Sequence, residues 1–108
     1  MSDFVIKQND TRPNLDAQLL NADNTPINLT GCTVRFLMVS TSGGAVKVDG
    51  LCAITDAANG KVRYYWQAGN TADYGDYKAE FEITFPDGSK QTVPNDGYIT
   101  VSIVKEIA

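Results

Sequence analysis

Carboxylates, hydroxyls, two thiols and ten aromatic rings are available for chemistry in this sequence, but histidine is absent. Its absence removes the commonest general base, the commonest metal ligand and every serine or cysteine triad built on imidazole. Serine–lysine chemistry survives on paper at Ser89-Lys90 and at Ser102 with Lys105, where the lysine would have to take the hydroxyl proton. Both are read more simply as a polar turn and a strand edge, and the chain is read as non-enzymatic. Asp73, Asp76 and Asp96 could offer oxygen ligands to calcium, yet their spacing matches no calcium loop. Turn chemistry accounts for them, with Asp73 capping a corner and Asp76 in solvent. No metal and no cofactor is expected.

Glu80 and Glu82 lie two residues apart, about 6.6 Å along a strand. A glycosidase pair stands roughly 5–9 Å apart, so distance alone would allow that use. Both glutamates, however, project from one flat face beside Lys78, and charge pairing across strands with Arg63 or Arg35 is the expected role. Trp66 with Tyr64, Tyr65, Tyr74 and Tyr98 could form a platform that stacks on a sugar ring. Parity divides the set, because Tyr64 and Trp66 share a face with Val62 and so belong to the core. Tyr65 points outward and Tyr74 sits at a loop tip. These two tyrosines, with Arg63 and Arg35, are the interface candidates, since both residue types are enriched at interfaces. A carbohydrate-binding module using Tyr65 and Tyr74 is the alternative function. Asn9-Asp10-Thr11 and Asn28-Leu29-Thr30 match the glycosylation acceptor pattern, which without an export signal is read as coincidence.

Bulk properties narrow the field. A chain of 108 residues buries roughly 65% of the surface its unfolded form exposes, enough for one domain over residues 1–108 without staples. Its 43% hydrophobic and 20% charged residues are ordinary for a globular protein and disfavour disorder. The net charge of −4 comes with nine scattered basic residues; gripping nucleic acid requires clustered ones. The opening Met1-Ser2-Asp3-Phe4-Val5-Ile6-Lys7 is no signal peptide. The longest aliphatic and aromatic run, Phe36-Leu37-Met38-Val39, falls far short of the roughly 20 residues of a membrane span. Synthesis in the cytosol is expected, with neither nucleic acid nor membrane as a partner. Cys32 and Cys52 fall in phase with apolar neighbours and are read as buried thiols, not as a disulfide.

The elements that must position these groups are strands. Period-two alternation marks Phe4–Lys7, Leu15–Leu20, Cys32–Val39, Lys61–Gln67, Tyr77–Phe85, Lys90–Val93 and Tyr98–Val104. Ala45–Val48 and Leu51–Ile54 are a strand pair, or one strand broken at Asp49-Gly50. Turns are placed at Asn21–Pro26, at Asn59-Gly60 and at Pro86-Asp87-Gly88. Cys32, Val34, Phe36 and Met38 should face inward. So should Val62, Tyr64 and Trp66; Tyr77, Ala79, Phe81, Ile83 and Phe85; and Ile99, Val101 and Ile103. Seven to nine short strands separated by turns describe an all-β sandwich or small barrel. Asp73-x-Gly75-x-Tyr77, entering a two-faced strand, has the form of a tyrosine corner and selects an immunoglobulin-like antiparallel sandwich. Tyr77, Asp73, Gly75 and Trp66 are therefore the structural site residues. Ala79 stands where antibody domains have their second cysteine, so the antibody disulfide is not expected. The same corner favours a crossing between layers from Gln67 to Tyr77 over a hairpin.

Several ordered segments carry a family resemblance. They are Asn9–Pro13, Asp23–Gly31, Thr33–Phe36, Gly60–Trp66, Gly75–Phe81 and Pro94–Tyr98. Together they resemble the immunoglobulin-like N-terminal domain of bacteriophage baseplate upper proteins, over nearly the whole chain from Phe4 to Ile103. The resemblance implies a structural protein of a tailed phage or prophage, found in the virion and in the host cytoplasm during assembly. In that family the domain anchors to the tail-tip core, and a following helical region reaches a receptor-binding protein. This sequence stops where the sandwich ends, so a baseplate or tail accessory, a neck component, a head decoration or a small adaptor is expected. Its partners would be other virion proteins of the tail, baseplate or capsid, and copies of itself. The short segments Phe4–Lys7 and Lys90–Val93 are the candidate exposed edges.

Overall fold

Alternating apolar and polar residues form nine strands in a computed structural model that describes residues 3–107. Met1, Ser2 and Ala108, at the ends of the expected 1–108 domain, lie outside the described residues. The strands are β1 (Phe4–Lys7), β2 (Leu15–Gln18), β3 (Thr33–Ser40), β4 (Val48–Leu51), β5 (Ala53–Asp56), β6 (Lys61–Tyr64), β7 (Gly75–Thr84), β8 (Lys90–Val93) and β9 (Ile99–Val104). No helix occurs among the described residues. One layer is a six-stranded sheet in the order β1-β9-β7-β3-β4, with β8 pairing the far end of β7. The second layer is three-stranded, in the order β2-β6-β5. The result is a β-sandwich of the expected class with one departure from antiparallel order. β1 runs parallel to β9, with Phe4 opposite Val101.

The two layers meet through aromatic rings. Phe36, wholly buried on β3, stacks on Tyr64 at 4.8 Å between centroids and meets Trp66 edge-on at 5.7 Å and Phe81 at 5.4 Å. Such ring pairs are worth about 0.5–1.5 kcal/mol beyond their area burial. Val34, Met38, Ile83, Val62 and Val101 close the space around them. Thr71 is the one buried polar residue among those described, and its hydroxyl donates to the Asp10 carbonyl at 2.7 Å. The peptide bonds Arg12-Pro13 and Val93-Pro94 are cis.

Three details differ from the sequence-based expectation. The break expected at Asp49-Gly50 falls instead at Cys52, where the chain leaves one layer for the other. Gly50 is inside β4, opposite Phe36, where a Cβ would lie 2.8 Å from the Tyr64 ring, so the position has no room for a side chain. Phe85, placed on the inward face of β7, is only half-buried, since the strand ends at Thr84 and Phe85 starts the turn. Neither glutamate of β7 is shown paired to Arg63, which belongs to the other layer. Arg35 does lie opposite Glu82, but its guanidinium binds Asp49 at 2.6 Å, and Glu82 accepts from Lys90 at 3.4 Å.

Candidate docking surfaces

Crossing from β6 to β7 requires a rigid corner, and the local sequence supplies its parts. Gly75 holds φ at 143°, a region that side chains with a Cβ avoid. Two residues on, the Tyr77 hydroxyl donates to the Asp73 carbonyl at 2.7 Å, while the Asp73 carboxylate accepts from Lys47 at 2.9 Å. At the start of the crossing, Asn70 Oδ1 accepts from both the Tyr64 hydroxyl at 2.7 Å and the Gln67 amide at 2.8 Å. Burial pushes the Tyr64 and Tyr77 phenols above their ordinary range. Trp66 is 4% exposed and stacks on Phe4 at 5.8 Å. Its indole N–H is buried without a hydrogen-bond partner among the described residues. Tyr64 is likewise buried, and neither ring lines the grooves described below.

The groups considered for chemistry are committed elsewhere. The Ser89 hydroxyl donates to Asp87 at 2.6 Å, and Lys90 reaches Glu82. Ser102 donates to Asp76 at 3.1 Å. Among the described residues, no group of three metal-ligating side chains converges. Cys32 and Cys52 are free thiols. Burial pushes Cys32 up and Cys52 up to about 12, the nearby Arg35 pulling weakly the other way. A nucleophilic cysteine needs the opposite shift. No helix of the described residues is long and apolar enough to cross a membrane.

What remains is surface. On the outside of the three-stranded layer, Arg63 binds Asp16 at 2.6 Å and lies 5.9 Å from the centroid of the Tyr65 ring. Its hydrogen bond to Asp16 favours the charged form. Arg35 is on the outside of the opposite layer, and Tyr74, at the end of the crossing just before β7, carries Lys105 over its ring at 5.5 Å. The structure therefore brings Arg63 and Tyr65 together and separates Arg35 from them. Sequence reasoning passed over Val46, Leu51 and Tyr98, which are 58%, 63% and 52% exposed. Parity along β9 carried a signal for Tyr98: with Val101 and Ile103 inward, the residue in phase with Thr100 and Ser102 must point out. A shallow depression of about 290 Å³ lies between Val46 and Tyr98, over Leu37 and Val39. A larger groove of about 550 Å³ runs along the seam between the layers, beside β2 and β8.

Comparison with known proteins places this architecture. No curated protein matches the chain. Among solved structures, the N-terminal domain of phage TP901-1 ORF48 is similar, with a TM-score of 0.65 and 18% identity over 95% of this chain and 83% of that one. The fold also resembles CopC from Methylosinus trichosporium OB3b, with a TM-score of 0.56 and 8% identity over 100% of this chain and 89% of that one. At such identities the likeness is one of fold alone. The family model described as the BppU N-terminal domain matches residues 5–107. The chain thus belongs to the BppU N-terminal domain family, the structural domain of phage baseplate upper proteins.

Proposed function

We propose that this protein is a non-enzymatic adaptor of a tailed-phage virion, made in the host cytoplasm and built into the baseplate or tail, where it works through protein–protein contacts. The family match over residues 5–107 carries this reading. The interior is in keeping with it: the rings of Phe4, Trp66, Phe36 and Tyr64 pack the centre of the sandwich, so what the molecule offers a partner is its surface and its open seam. The Arg63–Tyr65 pair on the three-stranded layer is proposed as one contact, with Arg35 and Tyr74 belonging to separate surfaces. Tyr77, Asp73, Gly75 and Trp66 are proposed to hold the scaffold rigid beneath them. No observation favours the carbohydrate reading, since a cation already lies over each of the Tyr65, Tyr74 and Tyr98 rings.

Quantitative mass spectrometry of purified particles, separated into tails and heads, tests the proposal. A fixed copy number in the tail fraction is the expected result. Recovery with heads would assign head decoration instead, and absence from both fractions would overturn the virion role.

A further inference from the structure

The sandwich is closed on one side and open on the other. On the closed side the chain passes directly from β4 to β5 through Cys52, whose amide still bonds the Val34 carbonyl at 2.8 Å. On the open side, β2 is the outer strand of its layer and pairs only with β6. Across from it, β8 pairs only with β7. Both strands therefore present one edge that no other strand covers among the described residues. Between them lies the groove of about 550 Å³. Leu15 and Leu19 form one wall, and Phe81, Val93 and Ile99 form the other. Uncovered edges are templates for another strand, and an apolar slot alongside receives every second side chain of whatever is added. Those side chains recur every 6.6–6.8 Å or so.

Charge identifies the other half of the occupant. Every ionisable residue lining the groove is acidic: Asp3, Asp16 and Asp96. All three are exposed. Asp16 is shared with Arg63, and Asp3 accepts from the Thr100 amide at 2.8 Å, so Asp96 is the carboxylate most available to an incoming cation. We propose that the open seam between β2 and β8 receives an extended segment of a partner polypeptide, added as a strand, with alternate apolar side chains in the groove and lysine or arginine at its acidic rim. This rests on the reading that the protein works through protein contacts, and supplies the mode of one such contact. A small apolar molecule would fit the volume but would leave both edges and the rim unused.

The test uses the 108-residue chain, isotopically labelled, and an acetylated, amidated peptide of alternating lysine and valine, seven residues long. Two controls are the same residues in blocks, four lysines then three valines, and the alternating peptide with glutamate for lysine. The alternating lysine–valine peptide should shift the amide resonances of residues 15–19, 90–93, 95, 96 and 99, and slow hydrogen exchange on β2 or β8. Both controls should bind at least several-fold more weakly. Val93→Lys should abolish binding. Asp96→Lys, in an exposed loop where folding is not at stake, should weaken it several-fold and flatten its salt dependence. Equal binding of the block peptide, shifts centred on Tyr98 and Leu51, or no binding at millimolar peptide would overturn the proposal. So would displacement of a bound apolar dye from the groove without protection of either edge. Because the assay needs no particle, its failure would leave virion membership standing, and absence from particles would leave peptide binding standing.

Discussion

Replacing Gly60 by alanine probes how tightly one end of the three-stranded layer is locked, where β2 leaves it beside the start of β6. Gly60 ends the turn before β6 with φ at 68°. An added Cβ would lie 2.6 Å from the Leu19 carbonyl oxygen and 2.9 Å from that of Ile27. Neither atom can retreat freely. Leu19 donates to the Gly60 carbonyl at 2.7 Å, and the Leu19 carbonyl accepts from Ile27 at 3.0 Å. The left-handed conformation alone costs an alanine about 1–2 kcal/mol. Forcing a methyl against fixed backbone adds roughly 1–3 kcal/mol, for a total of about 2–5 kcal/mol. Gly88→Ala is the control, because Gly88 has φ at 88° and nothing within 4 Å of the new Cβ. It should show only the conformational part. Urea unfolding followed by the fluorescence of Trp66, the sole tryptophan, reads both. With a slope of about 1–3 kcal/mol per molar urea, the midpoint of Gly60→Ala should fall below that of Gly88→Ala by roughly 1 M. Coincident midpoints would refute the close approach of Gly60 to the Leu19 and Ile27 backbone.

Tyr77→Phe keeps the buried ring and removes the bond to Asp73, so it should lose about 1 kcal/mol; a melt matching the parent protein would deny the bond that worth. Gly50→Ala should destabilise by about 1–3 kcal/mol, since the ring of Tyr64 is held by Phe36 and Asn70 and cannot move aside; unchanged urea stability would exclude that packing. Stability should decline in alkali. Cys52 rises from 9.0 to about 12 on folding, and the Tyr64 and Tyr77 phenols also rise, so the unfolded chain sheds these protons first. The contribution of Cys52 is complete below pH 9 or so and is lost progressively up to about pH 12. Cys52→Ala should flatten that part of a pH series of urea midpoints. A slope that does not change would locate the loss elsewhere. Iodoacetamide at pH 8 should modify Cys32 and Cys52 far more slowly in the native protein than in urea, as mass spectrometry would report; equal rates would show an accessible thiolate.

Much of the fold was legible because side chains along a strand alternate between two faces. Val34, Phe36 and Met38 are buried as their spacing demands, and so are Tyr77, Ala79, Phe81 and Ile83. The crossing between β6 and β7 could be read from Asp73, Gly75 and Tyr77, since a glycine conformation and a tyrosine reaching back are local requirements. The surface was less legible. Arg35 and Arg63 both alternate outward, yet period two does not say that they emerge from opposite layers with Asp49 and Asp16 as partners.

Sequence alone determined which residues turn inward, where the corner lies and that no imidazole chemistry is available, because these depend on residue type and on spacing within a few positions. Tertiary structure alone decided that β1 lies parallel to β9, that the chain changes layers at Cys52 and that β2 faces β8 across an open, acidic-rimmed seam. Strand neighbours are chosen by how the whole apolar interior closes, through contacts between residues as far apart as Phe4 and Val101. No local pattern records that choice.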